Sequence, residues 1–130
     1  MSTADRRRKT FHGLLEREAG SHDALAIAMA ARRLCERLIE QLTPIIGAAG
    51  VEAICSRSLH LTQQQFPSLA LSEQKSGSFA HLEASLRKLE PAAAVDAAVA
   101  VLVTACGLLD VFIGESLTTR LLRGAWPNFQ

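Results

Sequence analysis

Apolar residues recur every three or four positions along most of the chain, and this spacing is typical of one face of an α-helix. The clearest run extends from Ser21 to Leu42 and alternates with charged positions. Ser21 or Asp23 is expected to cap this first long helix, because short polar side chains accept hydrogen bonds from free N–H groups at a helix start. Its apolar positions are Leu25, Ala28, Ala31, Leu34, Cys35, Leu38, Ile39 and Leu42.

Turn residues divide the following part of the chain into further elements. Thr43-Pro44 is expected to begin a new helix, since proline is favoured in a first helical turn, and this helix is firmer over about 51–65. A linker follows over 67–77, and Ser78 is expected to cap a third helix.

A fourth helix, over about 91–113, is apolar on nearly every side and is followed by a last helix after Gly114. The uncharged run between Asp96 and Asp110 is 13 residues long, whereas a membrane span needs about 20 apolar residues. We therefore expect a buried central helix rather than a transmembrane segment.

The composition indicates the same fold class. Ala and Leu together supply 40 of the 130 residues, whereas Tyr is absent and there are one Trp and five Phe. Strands are rich in β-branched and aromatic residues, so this composition excludes a β-sandwich or barrel and favours helices. We predict an all-α, single-domain bundle of four to five helices over 21–130, preceded by a flexible basic arm over 1–20.

The arm carries a cluster of four cations, Arg6, Arg7, Arg8 and Lys9. Such a cluster can contact phosphate on nucleic acid or on an anionic lipid surface. It has no interleaved aromatic residues, and a solvated tail is the favoured interpretation. The formal net charge of the whole chain is only +1, which argues against a dedicated nucleic-acid-binding protein.

The cysteines do not form a metal or redox motif. Cys35, Cys55 and Cys106 lie far apart in apolar stretches and include no C-x-x-C pair, so free thiols buried in a reducing cytoplasm are expected. No metal, cofactor or catalytic group is predicted, and the N-terminus lacks the apolar stretch of a secretory signal. Arg outnumbers Lys by 11 to 3, which together with the excess of Ala is typical of proteins from GC-rich bacteria.

A polar stripe interrupts the apolar surface of the fourth helix. At 100° per residue, five positions fall on one side within about 120°: Asp96, Ala100, Thr104, Gly107 and Asp110. The favoured interpretation is a solvent edge, or a place where small residues let another helix approach. The alternative is a polar groove that orients a small ligand, in which a carboxylate pairs with a basic group such as Arg57 or Arg120.

Two hydroxyl residues, Ser58 and Thr62, lie in the middle of the apolar face of the second helix. Such hydroxyls usually donate to the carbonyl four residues earlier. The alternative is contact with a ligand held between helices.

His81 is a candidate phosphoacceptor. Ala80-His81 resembles the start of the A-H-x-x-K-G motif of histidine phosphotransfer domains, which are helical bundles of similar length, although Ala84 and Ser85 stand where that motif has Lys and Gly. The apolar positions of the third helix turn His81 outward together with Ser85 and Lys88. The favoured interpretation is an ordinary surface histidine.

Ile45-Ile46-Gly47 and Phe112-Ile113-Gly114 resemble each other. Two glycines at helix junctions can produce such a likeness by chance, so no internal repeat is predicted.

The pattern as a whole favours a small cytoplasmic module that regulates or supports another protein by binding it. We predict a symmetric homodimer that involves the fourth or last helix, because apolar residues near Trp126 and Phe129 are expected to be exposed. An unidentified protein partner is also expected. The alternatives are a sensor or carrier with an apolar pocket for a small ligand between helices and, third, phosphotransfer through His81.

Overall fold

A computed structural model describes residues 2–67, 69 and 80–129, and these residues form an all-α bundle, as predicted. The helices are α1 (Thr3–Ala19), α2 (Ala24–Gln65), α3 (Ala80–Leu86), α4 (Pro91–Ile113) and α5 (Glu115–Ala125). The predicted central helix has the bounds of α4. The expected start of the third helix at Ser78 and most of the expected linker lie outside the described residues.

Residues 1–20 were expected to form a flexible arm, and here the structure differs. The hydroxyl of Ser2 accepts a hydrogen bond from the Asp5 N–H at 3.1 Å, and the Asp5 carboxylate accepts one from the Ser2 N–H at 3.3 Å. This capping box satisfies free donors at the start of α1. Arg7, Phe11 and Leu15 follow at intervals of four and are buried, so α1 is held by packing as well as by its cap.

α2 is longer than the pattern predicts, because the expected new start at Thr43-Pro44 lies inside it. The helix is interrupted at Gly47, three residues after Pro44. The φ of 77° and ψ of 166° at Gly47 are not helical and belong to a region of backbone conformation that almost only glycine adopts. α2 therefore has a first segment, 24–46, and a second segment, 48–65. Asp23 caps the first segment as predicted, since its carboxylate accepts a hydrogen bond from the Ala26 N–H at 3.0 Å.

α4 lies in the core and packs against α1, α2 and α5. Ala98, Leu102, Cys106 and Leu109 are among its fully buried residues. By length and composition alone, both α2 and α4 are apolar enough to cross a membrane, but more than half of the most apolar stretch of α4 is buried inside the bundle. A core helix covered by its neighbours has this composition.

The two halves of the chain repeat the same plan, although no repeat is predicted from the sequence. A shift of 67 positions carries the end of α1 onto the end of α3, the start of α2 onto the start of α4, and Gly47 onto Gly114. Gly114 has φ 92° and ψ 150°, so both glycines turn one helix directly into the next. The same shift also aligns two sets of buried residues in the sequence. It pairs Ile27, Ala28, Ala30, Ala31, Leu34, Cys35, Leu38 and Leu42 with Ala94, Val95, Ala97, Ala98, Val101, Leu102, Ala105 and Leu109, respectively.

Candidate functional site

An ion pair fastens α1 to the C-terminal part of α4. Arg7 donates through Nη1 and Nη2 to the two carboxylate oxygens of Asp110, at 2.7 and 3.0 Å. The side chain of Arg7 is 5% exposed and that of Asp110 is 24% exposed. Burial lowers the pKa of the Arg7 guanidinium, but the hydrogen bond to Asp110 and nearby negative groups outweigh burial and leave this pKa raised. This two-bond geometry is the strong form of an Arg–carboxylate contact.

Arg57 and Arg120, the basic groups suggested in the alternative interpretation of the stripe, do not bind Asp110. Both arginines are exposed, and the partner is Arg7 because residues 3–19 form a helix that packs on α4. The formation of α1 also separates Arg7 from the rest of the predicted basic cluster, because Arg7 is buried against α4. Its other members, Arg6, Arg8 and Lys9, are exposed, and Arg8 pairs with Asp5 at 3.1 Å.

The polar stripe of α4 lies along its exposed edge. Asp96 and Gly107 are exposed, whereas Ala100 and Thr104 are half-buried. A Cβ atom placed on Gly107 would meet nothing within 4 Å, so no described helix approaches this position closely. This placement agrees with the interpretation as a solvent edge. Both carboxylate oxygens of Asp110 already bind Arg7.

The predicted hydroxyl residues of α2 bond to their own helix. Ser58 Oγ donates to the Ile54 carbonyl and Thr62 Oγ1 donates to the Ser58 carbonyl, both at 2.7 Å. Both side chains are buried, and each hydroxyl proton is used in these bonds. The expectation that they donate to the carbonyl four residues earlier is confirmed.

His81 does not lie on an open helix face. It is half-buried on the short helix α3, and Ser85, which was expected to point outward beside it, is buried. Lys88 is exposed but lies beyond Leu86, the last residue of α3.

The three cysteines are free and buried. Burial raises the pKa of the Cys55 thiol to about 11 and that of Cys106 to about 12, and it also raises the pKa of Cys35. A thiol is a nucleophile only as a thiolate, so these residues fill the core at neutral pH. Within the described residues, no group of three His, Cys, Asp or Glu side chains is placed to hold a metal ion.

An aromatic cluster joins α1 to the segment that follows α5. The Phe11 ring lies 5.7 Å from the Trp126 ring and 5.0 Å from the Phe129 ring, both in edge-to-face geometry. Trp126 is 4% exposed and Phe129 is 5% exposed. The expectation that these residues are exposed is therefore wrong, because Phe11 of the unexpected helix covers them.

A cleft of about 180 Å³ opens beside this cluster, where α1, the first segment of α2 and the segment 125–129 meet. Its lining consists of Thr10, Leu14, Arg17, Arg37, Ala125, Trp126, Pro127, Asn128 and Phe129. A larger hollow of about 370 Å³ is bounded by the outer face of α5 alone, at Glu115, Ser116, Thr119, Arg120 and Arg123. Of these two hollows, the cleft is the one with walls from three parts of the chain, and it is the candidate site.

The polar groups of the cleft are mainly hydrogen-bond donors. Arg17 Nε donates to the Gly13 carbonyl at 3.4 Å, and neither Arg17 nor Arg37 has a carboxylate within 4.0 Å among the described residues. Trp126 Nε1–H is buried and has no acceptor in the described part of the chain. A buried donor without an acceptor is rare in folded proteins. The site therefore offers positive charge and an unused N–H group.

None of the cleft residues belongs to the predicted site. The signals that could have located it are the Ser2-x-x-Asp5 spacing of a capping box and the apolar spacing of Phe11 and Leu15, which together indicate a helix within the expected arm. No local signal predicts that Arg37 meets the segment after α5.

Comparisons with protein families, with curated proteins and with solved structures each gave no match to this chain. The function is therefore argued from the geometry alone.

Proposed function

We propose that this chain is a non-catalytic interaction module, and that its first partner is a second copy bound through the exposed edge of α4. The observation that carries this proposal is Val111, which is 88% exposed near the end of a mostly buried helix. The next residue, Phe112, is 67% exposed. Single exposed apolar residues are common, but adjacent ones on one surface mark places where proteins bind other molecules.

The exposed edge of α4 has a shape that fits another copy of itself. Ala100, Thr104, Gly107 and Val111 follow at spacings of four, three and four, so they share one face of the helix. Three small residues leave a shallow depression, and Val111 projects at one end of it. In an antiparallel pair of α4 helices about a twofold axis, Val111 of each copy lies over the small residues of the other.

The available area sets the expected strength of this dimer. Stable interfaces bury about 1,200–2,000 Å² in total, and one helix edge with Phe112 supplies less than that. We therefore expect a dimer with a dissociation constant in about the micromolar range or weaker. The formal net charge of +1 adds little repulsion between copies.

Sedimentation velocity over a wide range of protein concentration tests the proposal. Gly107→Gln places a side chain on the edge, where the folded chain has nothing within 4 Å, so the dimer should weaken while the fold is retained. Gly13→Gln is the matched control, because Gly13 is also a helical glycine with nothing within 4 Å. Val111→Ser should act like Gly107→Gln.

A monomer at every concentration contradicts the proposal, and so does a dimer that Gly107→Gln and Val111→Ser both leave unchanged or that the control Gly13→Gln weakens equally. The cytoplasmic location and bacterial source stay predictions. Phosphotransfer through His81 gains no supporting observation from its half-buried position.

A further inference from the structure

We infer that the cleft beside Trp126 binds a small carboxylate that carries an apolar group. This inference goes beyond the proposed self-association and uses different residues. The cleft lies between α1, the first segment of α2 and the residues after α5, whereas the proposed dimer uses the edge of α4.

Two guanidinium groups from different helices give the cleft its charge. Arg17 comes from α1 and Arg37 from α2, and both are exposed residues in its lining. The neighbouring Arg33 differs, because its Nε donates to the carboxylate of Glu18 at 3.1 Å. The cleft arginines have no carboxylate partner among the described residues, and Arg17 uses only its Nε, which donates to the Gly13 carbonyl. The terminal N–H groups of both can therefore bind an oxyanion in the two-bond geometry that guanidinium favours.

A third donor belongs to Trp126, one of the residues that line the cleft. Trp126 is 96% buried, and its indole N–H has no acceptor in the described part of the chain. Leaving such a donor unpaired is costly, because folding removes it from water without replacing the lost hydrogen bond. An oxygen that enters the cleft and reaches the indole through a small shift of the ring relieves this cost.

The other walls indicate what accompanies the charged group. Leu14, Pro127 and Phe129 supply apolar surface, which favours a ligand with a hydrocarbon part over a bare inorganic anion. The volume of about 180 Å³ is near the roughly 150 Å³ of a cavity that holds one benzene ring. A six-carbon ring or short branched chain with one carboxylate matches both the charge and the size.

The indole resonance of Trp126 provides a direct test. The chain has one Trp, so a ¹⁵N-labelled sample gives a single indole N–H cross-peak. Titration with cyclohexanecarboxylate should move this peak downfield along a saturable curve, with a dissociation constant in about the millimolar range for so small a ligand. Cyclohexanecarboxamide, which has the same shape without the charge, should bind at least about tenfold more weakly.

Three arginine variants separate the cleft from general attraction of anions. Arg37→Gln and Arg17→Gln should each weaken cyclohexanecarboxylate binding by about tenfold, since each removes a charge-assisted contact. Arg123→Gln is the control, because Arg123 is exposed on α5 outside the cleft and should leave the titration unchanged. All three side chains are exposed, so the fold should be retained.

Several results would overturn the inference. No saturable shift, equal binding of the carboxamide, or equal weakening by Arg123→Gln rejects the cleft as a carboxylate site. An equal response to inorganic phosphate rejects the need for an apolar group.

Discussion

The first segment of α2 and helix α4 occupy matching positions in the two halves of the chain, but their outward faces differ. Under the shift of 67 positions, Arg33, Arg37 and Glu40 correspond to Ala100, Thr104 and Gly107. The three charged residues are exposed, as is Gly107, and the other two small residues are half-buried. These equivalent positions thus carry charge in one half and small, uncharged groups in the other.

This difference separates what the fold requires from what each surface does. Eight buried positions of α2 recur as buried positions of α4 although most of the side chains differ, which is expected when a core needs apolar groups of suitable volume rather than particular residues. The outward positions are free of that requirement. The charged face of α2 supplies Arg37 to the cleft, whereas the edge of α4 is suited to close contact with another helix.

The largest expected effect tests whether the short helices α1 and α3 are equivalent. Leu15 and Leu82 correspond under the shift, and they are 0% and 1% exposed. Leu15→Ala and Leu82→Ala should each lower the free energy of unfolding by about 3 kcal/mol, because each leaves a cavity in the core. Urea denaturation measures both values, and Leu25→Ala, at a position 46% exposed, is the control. A loss at Leu82 below about 1 kcal/mol breaks the equivalence.

The Arg7–Asp110 ion pair should make the two halves respond differently to substitution, since Asp110 corresponds to the exposed Thr43. Asp110→Ala leaves Arg7 buried without a partner and should cost about 3 kcal/mol of unfolding free energy. Thr43→Ala should change it by less than about 0.5 kcal/mol. Replacing both partners, as in Arg7→Met with Asp110→Leu, should restore most of the loss. Equal effects at Asp110 and Thr43 contradict this account.

Gly47 and Gly114, the two glycine corners at which one helix turns directly into the next, should respond alike to substitution by Ala. Gly47→Ala and Gly114→Ala force a side chain into a backbone region with positive φ, and each should destabilise the fold by about 2 kcal/mol. Gly13→Ala should stabilise it by about 0.5–1 kcal/mol, because Gly13 lies inside α1 with nothing within 4 Å. Thermal unfolding of the three variants sharpens the comparison, and a corner that tolerates Ala without loss shows that the halves differ there.

The last prediction concerns the three thiols at alkaline pH. The folded-state pKa of each thiol is raised, while an unfolded thiol ionises near pH 8.5. Above that pH the unfolded state loses protons that the folded state keeps, so stability falls as pH rises, and for Cys55 the fall continues to about pH 11. Each thiol contributes up to about 1.4 kcal/mol per pH unit.

Urea unfolding between pH 8 and 10 measures this slope with little interference, because the chain has no Tyr. Cys35 and Cys55 belong to the first half and Cys106 to the second. Replacing the first two by Ala should remove about two-thirds of the slope, whereas an unchanged slope shows that other groups cause it.

Much of the fold is predictable because its signals are local. Pro91 and Gly114 mark the ends of α4, and its composition indicates a core helix. α1 is different, since a cationic stretch is typical of a solvated tail, and Arg7 is buried only because Asp110, 103 positions later, binds it. Pro44 indicates a break in α2, but the conformation that makes the break belongs to Gly47.

The candidate cleft is less predictable than the fold. Its arginines lie on two helices and its tryptophan follows a third, so no spacing within one element brings them together. Ser58 and Thr62 stand out in the sequence as polar groups among apolar ones, yet each hydroxyl bonds to its own helix. The position of these two residues among apolar ones therefore indicates that their side chains are buried, and it does not indicate that they bind a ligand.

The contacts of α1 have a consequence for the order of folding during synthesis. Thr3 bonds to Glu115, Arg7 binds Asp110, and Phe11 packs on Trp126 and Phe129. A ribosome delivers the chain from its N-terminus, so α1 can pack against α2 early, but its contacts with α4 and with the aromatic residues after α5 must wait for residues about a hundred positions later. Until then Phe11 presents apolar surface to the cell. α1 is thus made well before much of what holds it, and its placement is completed only when residue 129 has emerged.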